Sequence, residues 1–369
     1  MSDSGAPTKV ISDFEATLDK ADVKVAAFDS QAAHPLLWLR NFLQNYNTAI
    51  PVFVLLFSIF VFGFTSSGRF FTANNLSIVF QQVTVIGIIA IAQTLVILTA
   101  GIDLSVGAIM VLSSIVMGKL AVETGVPVPI AVLVGGLAGA AMGYLNGVFV
   151  TRLRLPPFIV TLGTLYIFSA LKIWYSKSES IRAVTTEAEA PWLIMFGWPV
   201  FKVTDKESIF SGASLTIGGV SFIVLAVIIW YILNRTAWGR HVYAVGDDAD
   251  SAMLAGVQTD RILRSVYTVA GVICAFGALV LIGRVGGTVT PLAGETANLD
   301  SITAVVIGGT SLFGGRGSIV GSVLGALIVG VFRNGLSLSG VDVLWQDFTV
   351  GILIIAAVAI DQWIRKASA

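Results

Sequence analysis

The residues able to do chemistry in this sequence are amides and hydroxyls set inside apolar runs. Gln82 and Gln93 are separated by a whole number of helical turns, about three, so one helix face carries both. Gln81 and Thr94 flank that face, and Ser113, Ser114, Asn146 and Thr164 lie in neighbouring apolar runs. Amides and hydroxyls exchange hydrogen bonds with a neutral polyol without any charge being buried. Ion and proton routes are instead marked by charges in mid-bilayer, and here those are almost absent. The pattern favours a polar pathway for a neutral, hydroxyl-rich solute, lined by Gln82, Gln93, Asn146, Ser113 and Thr164. The alternative is that these side chains only bond helix to helix. Asp103 and Asp300 are the carboxylates nearest such a route, and both fall near the ends of their runs.

Other chemistries lack their residues. His34 and His241 are far apart with no cysteine or histidine beside them, so no metal site is expected. Cys274 is the only cysteine and can form no intrachain disulfide. Gly309 to Arg316 reads Gly-Thr-Ser-Leu-Phe-Gly-Gly-Arg and lacks the Gly-Lys-Ser/Thr of a nucleotide-binding loop. No Ser/His/Asp constellation suggests an enzyme, and no cofactor is expected.

The elements that must position the amides are membrane helices. Of 369 residues, 56% are hydrophobic and 12% charged, and mean hydropathy is +0.88. These values exclude a disordered chain and an ordinary soluble enzyme. Net charge is zero, which gives no reason to expect a nucleic-acid partner. The chain reads as an all-α integral membrane protein with about ten transmembrane helices. Apolar runs place them at 50–65, 77–99, 104–121, 128–150, 157–175, 216–234, 264–283, 299–312, 318–337 and 344–361. Glycine-rich breaks near 100 and 310 suggest half-helices or re-entrant segments there. Residues 1–49 read as a retained polar tail with an interfacial stretch at 34–43. Arg152, Arg154, Arg235, Arg240, Arg261, Arg264 and Arg316 all fall on one side of this topology. The positive-inside rule therefore puts both termini in the cytoplasm and the long loop 176–215 outside.

Two patterns recur. Gly139, Gly143 and Gly147 are spaced by four, as are Gly317, Gly321 and Gly325, and such runs let helix backbones approach closely. An Asn-Gly pair accompanies each, at Asn146 and Asn334. Ala-Gly-Ile-Asp at 100–103 is echoed by Ala-Asn-Leu-Asp at 297–300, with the two aspartates expected at opposite faces. An inverted repeat gives this arrangement; chance among 38 glycines is the other explanation.

Residues 235–264 form the longest inside loop. Asp247, Asp248 and Asp250, then Ala252, Met253, Leu254 and finally Gly256, punctuate a short helix with an apolar ridge. Such a helix fits a partner's groove, or is a plain surface helix. Asp250-Ser251-Ala252 followed by Gly256 resembles the coupling loop of ABC importer permeases, with Asp-Ser in place of Glu-Ala. Three blocks carry a more specific resemblance: Thr99-Ala-Gly-Ile-Asp-Leu-Ser-Val-Gly107, Leu155-Pro-Pro-Phe-Ile-Val-Thr-Leu-Gly163 and Ile302-Thr-Ala-Val-Val-Ile-Gly-Gly-Thr-Ser-Leu-Phe-Gly-Gly-Arg-Gly317. They resemble the ribose/xylose/arabinose class of monosaccharide permeases, over nearly everything from residue 50 onward. Asn234–Arg240 and Ala359–Lys366 are most similar to fructose-importing members.

The resemblance implies a homodimer in the bacterial inner membrane. It implies a separate ABC ATPase docked on Gly246, Asp247, Asp250, Ala252, Leu254 and Gly256, and a periplasmic sugar-binding protein as second partner. The cargo would be a neutral monosaccharide, fructose first, with ribose, xylose or mannose as alternatives. A secondary sugar carrier driven by an ion gradient is the competing class, and an ungated facilitator is the third.

Overall fold

The computed structural model describes residues 49–366 apart from 67, 206 and 295, so the tail and its interfacial stretch lie outside the described residues. A helix occupies each apolar run. They are α1 (Ala49–Thr65), α2 (Ala73–Leu98), α3 (Val106–Gly118, continued as a π-turn to Glu123), α4 (Val128–Arg152) and α5 (Pro157–Ser176), then α7 (Ile217–Arg235), α10 (Thr259–Arg284), α11 (Ala297–Ile307), α12 (Ile319–Leu338) and α13 (Val343–Lys366). Seven helices are long and apolar enough to cross a membrane, with α3 counted through Glu123. Pro51–Thr65 in α1, Ala297–Ile307 in α11 and Val343–Leu353 in α13 are shorter apolar segments.

Local chemistry sets the starts. Thr72, Thr216 and Ser318 each cap a helix by accepting a backbone N–H from the third residue on. Prolines open α4 and α5, where the first N–H groups need no helical partner. Between α5 and α7 lie the short α6 (Ala183–Glu189), a 3₁₀ turn and an antiparallel pair, β1 (Pro199–Lys202) and β2 (Ser214–Thr216). The 176–215 loop is thus a small ordered cap with a hairpin in an otherwise helical protein. Between α7 and α10 lie α8 (Ala237–Asp247) and α9 (Ala249–Leu254).

The centre of the bundle is α2 against α10, each 26 residues long, roughly 39 Å at 1.5 Å per residue. They run antiparallel. Tyr267, early in α10, reaches Gly101 just past the end of α2. Arg284, at the end of α10, shares a small pocket with Gln81 and Thr84 of α2. Helix α12 is antiparallel to α2 as well. Thr94 bonds Ser322 at one end (2.6 Å), and the amides of Asn75 and Asn334 exchange two hydrogen bonds at the other (3.0 Å each). The arginines grouped by the sequence, from Arg152 to Arg316, gather at the Thr94–Ser322 end.

The packing partners repeat under an exchange of α2 with α10, α3 with α11, α4 with α12 and α5 with α13. Helix α4 lies on α10 as α12 lies on α2. Helix α3 touches α10, α4 and α5, and α11 touches α2, α12 and α13. The glycine runs do not carry this exchange. Gly139, Gly143 and Gly147 bring α4 onto the backbone of Gly271, Tyr267 and Arg264 in α10. Gly321 and Gly325 bring α12 onto Gly308 and Ala304, at α11. Gly317 is not in a helix at all: it precedes α12 and folds against Thr310.

Four boundaries differ from those expected by four or five residues: the start of α2 at Ala73, the start of α10, the end of α11 and the end of α13 at Lys366. The run at 299–312 stops being helical at Ile307, and Gly308–Gly317 makes a loop with left-handed residues at Gly309, Gly314 and Gly315. The stop coincides with the glycine-rich break near 310, in a loop whose five glycines, Thr310, Ser311 and Arg316 interrupt the apolar run. Helix α10 starts five residues before the expected 264, at Thr259.

A Cβ on Gly143 would collide with the Tyr267 carbonyl, whereas Gly136 on the same helix has open space around it. Gly143→Ala is therefore expected to destabilise the bundle by about 1–3 kcal/mol through overpacking. A melt in detergent should fall by several degrees for Gly143→Ala and not for Gly136→Ala. Equal melts would remove the close-approach role from this run.

Candidate functional site

The candidate site is where three non-helical stretches meet at the arginine-bearing end of the bundle. The first is residues 99–105, between α2 and α3. It turns back into the protein rather than leaving it: Gln93, about 7.5 Å inside the end of α2, reaches Asp103. With its amide set to satisfy both contacts, Gln93 donates to Asp103 O (3.0 Å) and accepts from Asp103 N (3.2 Å). Thr161 of α5 donates to Ile102 O at 2.8 Å. Ser105 gives its backbone N–H and its hydroxyl to the Asp103 carboxylate, at 2.7 and 2.6 Å. Asn146 of α4 donates to the Ser105 hydroxyl at 2.8 Å.

From there α3 begins inside the bundle, and α11 begins beside it. The side-chain oxygen of Asn298, in the first turn of α11, accepts the Gly107 N–H at 2.6 Å. The N-termini of two short helices therefore face each other, each following a non-helical entry. Asp103 lies in the entry to α3, and Asp300 lies in the first turn of α11. Asp300 is bonded to Arg333 (2.7 Å), which also approaches Asp347 at 3.2 Å.

The second stretch is the α8–α9 elbow. Thr236 caps α8, and the Asp248 carboxylate caps α9 by accepting from Asp250 N and Ser251 N, both at 2.9 Å. The hydrogen bonds from Ser251, with that from Asp250 N, hold the Asp248 carboxyl below its usual range. Asp248 is one of the three acids that mark the helix start in the sequence, and the structure makes it the N-cap. Ala252 is buried, while Met253 and Leu254 stand 57% and 86% exposed, so α9 presents an uncovered apolar ridge. Asp247 and Asp250 are exposed. Gly256 ends the elbow at φ +87° with nothing near its Cα hydrogens. Its glycine is required by the backbone, whereas the close backbone contact of the elbow is made at Gly246. A Cβ on Gly246 would strike the Leu98 carbonyl and the Gly315 N–H.

The third stretch is Gly308–Gly317. Gly315 N donates to Leu98 O at 3.0 Å, and Gly314 packs on Ala100 and Gly246. Tyr243 of α8 donates to Gly317 O at 3.0 Å, and burial pushes its phenol above the usual range, keeping it a donor. The sequence segment that mimics a phosphate loop is thus a clasp. It is the loop between α11 and α12, and it ties the elbow to the end of α2.

The five expected pathway residues separate. Gln93 and Thr164 are buried with partners, Thr164 donating to Thr161 O at 3.3 Å. Asn146 and Ser113 are buried, and Asn146 Oδ1 and Ser113 Oγ find no hydrogen-bond partner among the described residues. The Tyr267 hydroxyl, which the sequence did not single out, is in the same condition. Gln82 is half-buried, outside this group. Among the described residues no group of three metal-ligating side chains occurs.

A family described as the permease component of the branched-chain amino acid transport system matches residues 75–358. The chain is 50% identical to the fructose import permease of Rhizobium meliloti over the whole of both chains. It is 37% identical to the ribose import permease of Bacillus subtilis over 80% of this chain and 86% of that one. It is 30% identical to the xylose transport system permease of Escherichia coli K12 over 86% and 93%. No solved structure matches.

Replacing Gln93 by leucine would leave the N–H and C=O of Asp103 buried without partners, at about 1–3 kcal/mol for each group. Gln93→Leu is expected to lower the melting temperature clearly, and Gln82→Leu to leave it unchanged. A silent Gln93→Leu would mean that Asp103 is held by other groups.

Proposed function

We propose, for a chain that belongs to the family of branched-chain amino acid transport system permease components, that it is the membrane subunit of an ATP-driven importer of a neutral monosaccharide. Fructose is the first candidate cargo, because the full-length relative at 50% identity is a fructose import permease. Ribose, xylose and mannose follow. The arginine-bearing end faces the cytoplasm, which places both termini there and α6 with its hairpin in the periplasm. The ten apolar helices are ten membrane segments, and the exchange of packing partners is an inverted repeat. The subunit works as a homodimer in the bacterial inner membrane, with an ABC ATPase below and a periplasmic sugar-binding protein above.

The observation that carries this reading is the seat of Gly246. Helix α9 offers an apolar ridge to a partner, and the residue at the base of the elbow is wedged against Leu98 and Gly315. A partner that moves α9 therefore moves the end of α2 and the clasp leading to α11. Asp247, Asp250, Ala252, Leu254 and Gly256 belong to the same elbow. An uncharged route suits a sugar, and Asn146 Oδ1 and Ser113 Oγ are unpaired oxygens able to accept from one. Gln82, Gln93 and Thr164 complete the polar set. A gradient-driven carrier needs a carboxylate free to exchange a cation, but Asp300 is held by Arg333 and Asp103 by Ser105.

The test is reconstitution with the ATPase and binding protein. Fructose-loaded binding protein is expected to stimulate ATP hydrolysis and uptake. Gly246→Val should cut uptake by roughly tenfold or more, since a bulky side chain cannot enter that seat, while the ATPase still co-purifies. Leu254→Asp should lose the ATPase itself. Normal coupled uptake in both variants would sink the docking assignment. Uptake driven by a proton or sodium gradient without ATP would replace the importer by a carrier.

A further inference from the structure

A groove of about 810 Å³ opens at the arginine-bearing end, between the α4–α5 turn and the segment joining α9 to α10. Arg154, Arg261 and Arg264 line it with Thr151 and Leu155, against a single acidic residue, Asp260. None of the three arginines forms an ion pair among the described residues. Arg264 turns its Nε to its own helix, onto Asp260 O at 3.1 Å. Arg152, exposed in the last turn of α4, adds a further positive charge beside the opening.

The rim is apolar. Leu153, Phe158 and Ile159 are 59%, 50% and 56% exposed. Phe158 and Ile159 begin an outward face of α5 that continues through the exposed Tyr166 and Ile167. A cationic hollow whose edge runs straight into a membrane-facing helix surface matches an amphiphile, with one anionic head and long apolar chains. Arginine forks suit phosphate oxygens in particular, because two N–H groups meet two oxygens at once. A free phosphate would use the arginines but leave the rim unexplained.

We propose that this groove binds the phosphate headgroup of an anionic phospholipid, with Arg154 and Arg261 on the head and Leu153, Phe158 and Ile159 along the acyl chains. The site is separate from the Gly246 seat. It is read on the permease alone, so its failure leaves the transport reading untouched.

The experiment purifies the full chain in mild detergent and counts bound lipid by native mass spectrometry with phosphatidylglycerol or phosphatidylcholine added. The wild type is expected to retain phosphatidylglycerol about tenfold over phosphatidylcholine, as polybasic surfaces do. That preference should vanish in Arg154→Gln/Arg261→Gln and survive, reduced, in Arg154→Lys/Arg261→Lys, which keeps the charge and controls for folding. Equal retention of the two lipids by the wild type, or an unchanged preference in the Gln pair, would overturn the proposal. Displacement of the lipid by inorganic phosphate would overturn it in favour of a soluble anion. Displacement by added ATPase, with the Gln pair losing the ATPase, would make the groove a protein-docking surface instead.

Discussion

Everything near the site depends on satisfying the backbone of residues 99–105. A stretch that leaves helical geometry inside an apolar bundle has no water to pair its N–H and C=O groups, so protein groups must do it. Each neighbour of the stretch supplies one. Gln93 takes both groups of Asp103, Thr161 takes the carbonyl of Ile102, and Gly315 takes the carbonyl of Leu98 just before it. Asn298 does the same for the Gly107 N–H in the first turn of α3, and Asn146 donates to the Ser105 hydroxyl. The stretch is thereby fastened to α2, α4, α5, α11 and the 308–317 loop. A local backbone requirement becomes the junction through which five elements sense one another.

Glycine supplies what hydrogen bonds cannot. Apolar helices in lipid gain little from hydrophobic burial against each other, so contact area and short backbone distances must hold them. Gly139, Gly143 and Gly271 let α4 and α10 meet backbone to backbone, and Gly308, Gly321 and Gly325 do the same for α11 and α12. The two sets join different pairs of helices, although the helices themselves exchange places in the repeated packing. The correspondence therefore lies in which elements touch, while the particular glycine contacts differ.

That difference explains how much could be read from the sequence. Apolar run length located the helices, because the period and extent of hydrophobicity are one-dimensional properties. The end of α11 was legible as a glycine-rich break near 310 but not to the residue, because the left-handed turns at Gly309, Gly314 and Gly315 belong to the backbone and not to hydropathy. Nor was the division of labour among the amides. Spacing placed Gln82 and Gln93 on one face, but only the fold brings Asp103 back to Gln93 and leaves Gln82 aside. Gly256 and Gly246 were indistinguishable as letters; one is needed for a positive φ and the other for a contact across 148 residues to Leu98.

The same distinction bears on how motion at α9 reaches the interior. A surface helix tied only by flexible chain would absorb a push from a partner. Here α9 is capped by Asp248 at its start, and Val257 closes its end on Ala252 at 3.0 Å, so it is stiff for its length. Its base has no side chain at Gly246, so no rotamer can yield between it and Leu98. The junction beyond is held by hydrogen bonds with few alternatives, in a medium that penalises their loss. Displacement of α9 must then either shift the end of α2 with the 308–317 clasp or break paired backbone groups. Moving as a unit is the cheaper response, and it carries the displacement to the facing starts of α3 and α11, beside the unpaired oxygen of Asn146.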